Sequence, residues 1–364
     1  MVDGAVGAGV AAVNGSEATR LLRDGDRIVG AVVADRHTGA TLDVGATITM
    51  DCSGSWSAGH LTHSPATPRR TRMTKGVHLV MPALPVTEAF LLLSQVDGRV
   101  FFLIPWYGRT LLGTTDTPYS GDPDAVEVSA ADVDYLLEAA NAFLTDPWQR
   151  RDVQASYAGL RVLPNASGAP TNVTREWSLD VAAPGLLRSV GGKFTTARAD
   201  AARAVDQVMT SLGQPTGARP TERQRFPWAP SGDFGDWLQG ATTRGVALGL
   251  DQLTARTAAL RFGSGIEALH ARIAARPDLA ARLDPTLPFC RAEVVHAVEQ
   301  EMACTLHDVL RRRIPLLLLT PPTAGVLEDA AALAGDALGW TPERRREEVA
   351  GLPRAGKPTQ TAAL

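Results

Sequence analysis

Between residues 17 and 53 apolar positions alternate with polar ones or gather in short runs, as in "EATRLLRDGDRIVGAVVADRHTGATLDVGATITMDCSG". Asp24-Gly25 and Thr38-Gly39 are turn pairs between these runs, so the pattern predicts a small β-meander. A polar, proline-bearing connector, "LTHSPATPRRTRM", follows. Strand-like runs resume at 75–82, 88–95, 99–106 and 109–115, spaced tightly enough for an antiparallel sheet. The period then changes over 129–143, where Ser129 or Ala131-Asp132 opens a helix through "VDYLLEAANAF". Strands return near 154–162, 175–181 and 185–190, and a helix follows Thr195.

Near residue 211 the pattern breaks into "LGQPTGARPTERQRFPWAPSGDFG", whose proline, glycine and charge mark a linker. From about 235 to 350 nearly every segment has helical periodicity, which predicts a separate all-helical unit. The closing "LPRAGKPTQTAAL" reads as a disordered tail, and no internal repeat is visible.

Composition adds class limits. With 45% apolar and 21% charged residues, 364 residues suit an ordinary globular protein of two domains, or one large domain with an appendage. A net charge of -3 gives no reason to expect a nucleic-acid partner. Cys52, Cys290 and Cys304 lack metal-ligand spacing and fit a reducing compartment without disulfides, with Cys52 expected to be packing in a strand. The run "IPLLLL" is too short to span a bilayer and no signal peptide opens the chain, so the expected place is the cytoplasm, at most touching a membrane surface.

Charge type is more informative. Only three of 36 basic residues are lysine, and two of them, Lys75 and Lys193, lie in the glycine-containing stretches "KGVH" and "GGKF". In "SVGGKFTTAR" a strand runs into Gly191-Gly192, then Lys193, then Thr195-Thr196 entering a helix. Glycines let backbone approach a flat or anionic group, and a helix start offers free N–H groups. The same residues also suit a tight turn with a threonine N-cap. Arg161 and Arg175, in or beside strands, could grip one anion between two planar forks, or simply be surface arginines. His78 sits on a strand where an imidazole could act as a base, though a hydrogen-bonded structural role is as open to it. "LLGTTDTPYSGDP" reads as a hairpin exit, His296 and His307 lack a metal pattern, and Arg311–Arg313 and Arg344–Arg346 read as solvated helix faces.

Taken in order, "KGVHLVMP", "FFLIPWYGRTLLGTTDTPYSGDP", "YAGLRVLP", "TREWSLDV", "SVGGKFTTAR" and "LPFCRAEVVHAVEQEMACTLHDVLRRR" resemble the FAD-dependent glycerol-3-phosphate dehydrogenases and the related α-glycerophosphate oxidases. The resemblance implies oxidation of sn-glycerol 3-phosphate to dihydroxyacetone phosphate, with FAD as cofactor and quinone or oxygen as acceptor. It implies that Arg161 and Lys193 bind the phosphate, that Arg175 lines the reacting carbinol and that His78 is its base. Gly191, Gly192, Thr195 and Thr196 would face the flavin's pyrimidine end, and Ser53 and Gly54 its adenosine or pyrophosphate side. Asp51, Cys52, Ser53 and Ser55 depart from the family's usual pattern there, and Ala197 replaces a frequent tyrosine. A peripheral contact at the inner face of the cell membrane and a homodimer are further expectations from the resemblance.

The implied fold class is α/β: an incomplete flavin-binding domain of glutathione-reductase type, an antiparallel β substrate domain and an all-α C-terminal domain. The divisions expected are 1–60 as a remnant of the FAD-binding domain with the meander and 61–150 as the substrate sheet. Residues 151–212 return to the FAD-binding domain, 213–234 link, 235–350 are helical and 351–364 form the tail. The family's opening GxGxxG turn has no counterpart, since "DGAVGAGV" lacks a preceding strand and the right spacing. The chain thus resembles the family with its N-terminal portion removed. Two other readings stand beside the dehydrogenase: a truncated non-catalytic homologue or half of a split enzyme acting as an interaction module, and an enzyme for another small hydroxy acid or amine. Arg161 and Lys193 favour a phosphate over the last.

Overall fold

The computed structural model describes residues 1–57, 72–163 and 177–352. After a short helix α1 (Val2–Gly7), strands β1 (Ser16–Asp24), β2 (Arg27–Asp35) and β3 (Thr41–Gly45) form the expected antiparallel meander. β4 (Thr49–Asp51) leaves it.

The next elements build the large antiparallel sheet: β5 (Arg72–Pro82), β6 (Phe90–Leu93), β7 (Val100–Trp106), β8 (Arg109–Gly113), β9 (Thr117–Tyr119) and β10 (Ala155–Leu163). Its order is β10-β5-β8-β7-β6, with β9 also paired to β5. Helix α2 (Ala130–Asn141) starts where Ser129 and Asp132 cap each other's backbone N–H groups. Alternation along β5 sends Val77, Leu79 and Met81 against Val133, Leu136 and Ala140 of α2, where Phe101, Leu103 and Leu112 complete a dry core. Gly76, His78 and Val80 point to the other face. Lys75 shares the α2 side, its Nζ 2.5 Å from Asp132 Oδ2 and 3.1 Å from the Glu127 carbonyl. This lysine ties the sheet to its helix.

β11 (Ser178–Ala183) and β12 (Leu186–Val190) form a hairpin, and β12 pairs in parallel with β4, Leu187 opposite Met50. Helix α3 (Ala197–Ser211) follows through a single turn at Phe194–Thr196. Cys52, expected to pack in a strand, is exposed just beyond the end of β4.

The helical part comprises α4 (Phe234–Ala247), α5 (Gln252–Phe262), α6 (Ile266–Ala275) and α7 (Arg291–Glu299), then a π-helical turn (Asp308–Arg313). It continues through α8 (Leu316–Leu319), α9 (Ala324–Leu338) and α10 (Pro342–Ala350). Side chains of Asp233, Asp251, Thr323 and Thr341 cap α4, α5, α9 and α10. Within its core Arg261 pairs with the fully buried Glu293, and its guanidinium lies 4.9 Å from the centre of the Phe289 ring.

The β7–β8 hairpin joins sheet to helices. Tyr107 (φ 49°) and Gly108 (φ 72°) are both left-handed, as a two-residue type I′ turn requires. That turn drives the Tyr107 ring edge-on to Phe289, 5.0 Å between centres, within the helical core. Helix α8 also packs on β10. Among the described residues no helix is long and apolar enough to cross a membrane.

Candidate functional site

Strand register assembles the site. On the sheet face away from α2, Tyr157, His78 and Gly113 lie side by side across β10, β5 and β8. The Tyr157 and His78 rings stack at 5.2 Å and 12°. A Cβ at Gly113 would sit 2.3 Å from His78 Cδ2, so the imidazole occupies the space this glycine leaves. Burial, with the Arg161 charge adding to it, pushes the His78 imidazole down to about 4. The ring is neutral at physiological pH and keeps a lone pair for accepting a proton.

One step along, Gly159 faces Gly76 across the same strands. The Arg161 guanidinium lies over Gly76, where a Cβ would come within 2.5 Å of Nη2. Arg161 donates to Thr114 Oγ1 at 3.0 Å, the Thr115 carbonyl at 3.2 Å and Asp116 Oδ1 at 3.4 Å. The "GTTD" stretch after β8, expected only as a hairpin exit, is thus the cradle of this arginine. Thr115 Oγ1 also accepts from the Val77 N–H at 3.0 Å, fixing the cradle to β5.

A second cluster stands where the parallel strands β4 and β12 end. Ser53 and Gly54 follow β4, and Gly191 and Gly192 follow β12, so both pairs share the carboxyl edge of the small sheet, where α/β proteins place ligands. Buried Asp51 accepts from the Ser53 N–H at 2.9 Å and from its hydroxyl at 2.5 Å. Gly191 (φ 73°) and Gly192 (φ 99°) are left-handed and exposed, leaving bare backbone before α3. Thr195 is exposed, and Thr196 does not cap the helix; its hydroxyl donates to Asp200 Oδ2 at 2.6 Å. The Lys193 carbonyl accepts from the Thr196 N–H at 3.1 Å and from its hydroxyl at 3.2 Å, while the Lys193 side chain is exposed and has no hydrogen bond or ion pair among the described residues. The Gly54–Trp56 turn touches β10, bringing the two clusters to a common border.

The structure therefore joins His78 with Arg161, and Ser53-Gly54 with Gly191-Gly192. No bond links Lys193 to Arg161, and Arg175 lies outside the described residues. Sequence reasoning missed Tyr157, Gly76, Gly113 and Arg311. Tyr157 and Gly76 carry a readable signal, alternate-position spacing toward Arg161 and His78 in "YAGLR" and "KGVH", whereas Gly113 meets His78 only through strand register. For Arg311, expected on a solvated helix face, the structure gives a half-buried side chain whose charge is felt at the Tyr157 phenol.

Residues 1–198 match the model of the FAD dependent oxidoreductase family, over half the chain. The chain belongs to that family. Residues 196–345 match the C-terminal domain of alpha-glycerophosphate oxidase. A glycerol-3-phosphate dehydrogenase 2 of Mycobacterium tuberculosis is 30% identical over 92% of this chain and 57% of its own length. A glycerol-3-phosphate dehydrogenase of Synechocystis is 31% identical over 85% of this chain and 58% of its own. The crystal structure of the glycerol-3-phosphate dehydrogenase from Bacillus halodurans complexed with FAD superposes with a TM-score of 0.80 at 27% identity, covering 95% of this chain and 69% of that one. The chain spans less than three fifths of the length of these two sequence relatives. The expected family, mixed α/β content and helical C-terminal region agree with these matches.

Proposed function

We propose that this chain carries the substrate sheet, the flavin-ring edge and the helical unit of an FAD-dependent glycerol-3-phosphate dehydrogenase. The divisions at 60, 150, 212, 234 and 350, and a flavin domain of glutathione-reductase type containing β4, β11 and β12, belong to this reading. The observation that carries it is the neutral His78 imidazole seated over Gly113, one row from the Arg161 guanidinium seated over Gly76.

The residues at the end of β12 fit the ring end of FAD. Two consecutive left-handed glycines admit a flat group against bare backbone, while Lys193 and the α3 N-terminus supply positive potential there. Ser53 and Gly54 would stand toward the adenosine or pyrophosphate side. When bound, FAD supplies the acceptor for the hydride that leaves C2 of sn-glycerol 3-phosphate. His78 accepts the C2 hydroxyl proton as the carbonyl of dihydroxyacetone phosphate forms. Arg161, with Lys193, draws the phosphate, and the arriving dianion offsets the cationic influence that depresses His78, raising its basicity where the proton is transferred. Arg175 would line the carbinol. Quinone or oxygen would take the electrons, and contact with the inner face of a membrane, or a homodimer, would suit the quinone route.

The test is the visible spectrum of the purified chain with added FAD, recorded anaerobically before and after sn-glycerol 3-phosphate. Bleaching of the flavin band with formation of dihydroxyacetone phosphate is expected. Bound FAD that stays oxidised in the presence of substrate would refute the reading.

A further inference from the structure

Three consecutive arginines close the π-helical turn, and the structure treats them differently. Arg312 pairs with Asp308 one turn earlier and is exposed. Arg313 donates to the Glu301 carbonyl at 2.9 Å from Nε and 2.6 Å from Nη2. Arg311 is half-buried, yet among the described residues it has neither a carboxylate nor a hydrogen-bond acceptor. We propose that Arg311 is an anion-binding residue of the substrate site, reaching from the helical unit to the phosphate of sn-glycerol 3-phosphate at the Tyr157 end of the His78 row.

Position supports this. The Arg311 charge acts on the Tyr157 phenol, Tyr157 stacks on His78 at 5.2 Å, and α8, just after the turn, packs on β10. The turn that carries Arg311 and the helix after it thus bring the helical unit against the strand that holds Tyr157 beside His78. Electrostatics agrees. Burial, reinforced by the neighbouring Arg312 charge, disfavours the Arg311 cation, and a dianion is the group that reverses this. Arg161 is the less available cation, because Thr114, Thr115 and Asp116 already accept from its fork. The local backbone is also special. The Ile314 N–H reaches the Val309 carbonyl at 2.7 Å, a five-residue closure. Such π turns re-aim side chains and recur at functional sites. An arginine presented this way can hold two phosphate oxygens at once.

The inference rests on the glycerol-3-phosphate reading, and the experiment separates the two. Binding of sn-glycerol 3-phosphate and of inorganic phosphate to the purified chain is measured by titration calorimetry for wild type, Arg311→Gln, Arg311→Lys and Arg312→Gln, with circular dichroism to verify folding. Arg311→Gln is expected to weaken both ligands about ten-fold or more, one lost charged contact. Arg311→Lys, which keeps charge and packing but not the fork, is expected to fall between it and wild type. Arg312→Gln is expected to match wild type. Wild-type affinity in Arg311→Gln, an equal loss in Arg312→Gln, or no binding of either ligand by wild type overturns the inference. Phosphate binding that depends on Arg311, in a holoenzyme whose flavin ignores glycerol 3-phosphate, upholds the anion site while overturning the substrate reading.

Discussion

Gly76→Ala is a one-carbon change that should disarm Arg161 without touching it. The new methyl would come 2.5, 2.6 and 2.7 Å from Nη2, Nη1 and Cζ of the guanidinium, where ordinary contact begins at 3.4 Å. The fork must rise by about 0.9 Å, the difference between 3.4 and 2.5 Å. Its contacts to Thr114, Thr115 and Asp116 already measure 3.0, 3.2 and 3.4 Å, so the two longer ones do not survive that shift. A hydrogen bond to a charged group is worth roughly 1.5–3 kcal/mol, and displacement by about 1 Å within a site can cost a hundred-fold. Weakening of glycerol 3-phosphate binding by about ten- to a hundred-fold is therefore expected, read by titration calorimetry. Gly159→Ala is the matched control. It lies directly opposite Gly76, but its Cβ would meet nothing within 4 Å, so its affinity should equal wild type. In an Arg161→Met background Gly76→Ala should add little. Equal behaviour of the two glycine variants would refute the cradle.

Two further predictions concern stability. Lys75→Met leaves the buried Asp132 carboxylate without its cation and should cost about 3–5 kcal/mol in urea unfolding, as broken buried pairs do. Because Lys75 lies on the α2 face, substrate affinity of the folded variant should be unchanged, and a loss there would contradict the assignment of faces. Burial, with Arg272 contributing next, pushes the His296 imidazole down to about 4. The folded value lies below the ordinary 6.5, so the unfolded chain takes the proton first and stability falls as pH drops from 6.5 towards 4. His296→Gln should remove about 1.4 kcal/mol per pH unit from that slope within the window, and parallel wild-type and variant curves would count against it.

Much of this architecture is written in local pattern. The Asp24-Gly25 turn, the Ser129 cap and the change of period near 235 each follow from a few adjacent residues, and the elements form accordingly. His78 and Arg161 were legible as candidates because each is a polar residue in an apolar strand. Their surroundings were not legible. Lys75 resembled Lys193 in sequence, yet its meaning depends on Asp132, which reaches it only after the chain has turned back as α2. Gly76 and Gly113 acquire their role from strand register, which brings a guanidinium and an imidazole over them from other positions. The arginine triplet repeats one residue type, and only the fold, which gives Arg312 the Asp308 carboxylate and Arg313 the Glu301 carbonyl, distinguishes its first member from the other two.

The left-handed Tyr107-Gly108 turn also has a temporal consequence. The helical core is incomplete without an aromatic ring made more than a hundred residues before it, since Tyr107 packs on Phe289 beside the Arg261–Glu293 pair. During synthesis the sheet emerges first and the helices later, at a pace slow enough for hairpins to form in between. The hairpin tip can thus be in place before the helices that pack on it are made, so the contact between them joins an early-made part of the chain to a late-made one.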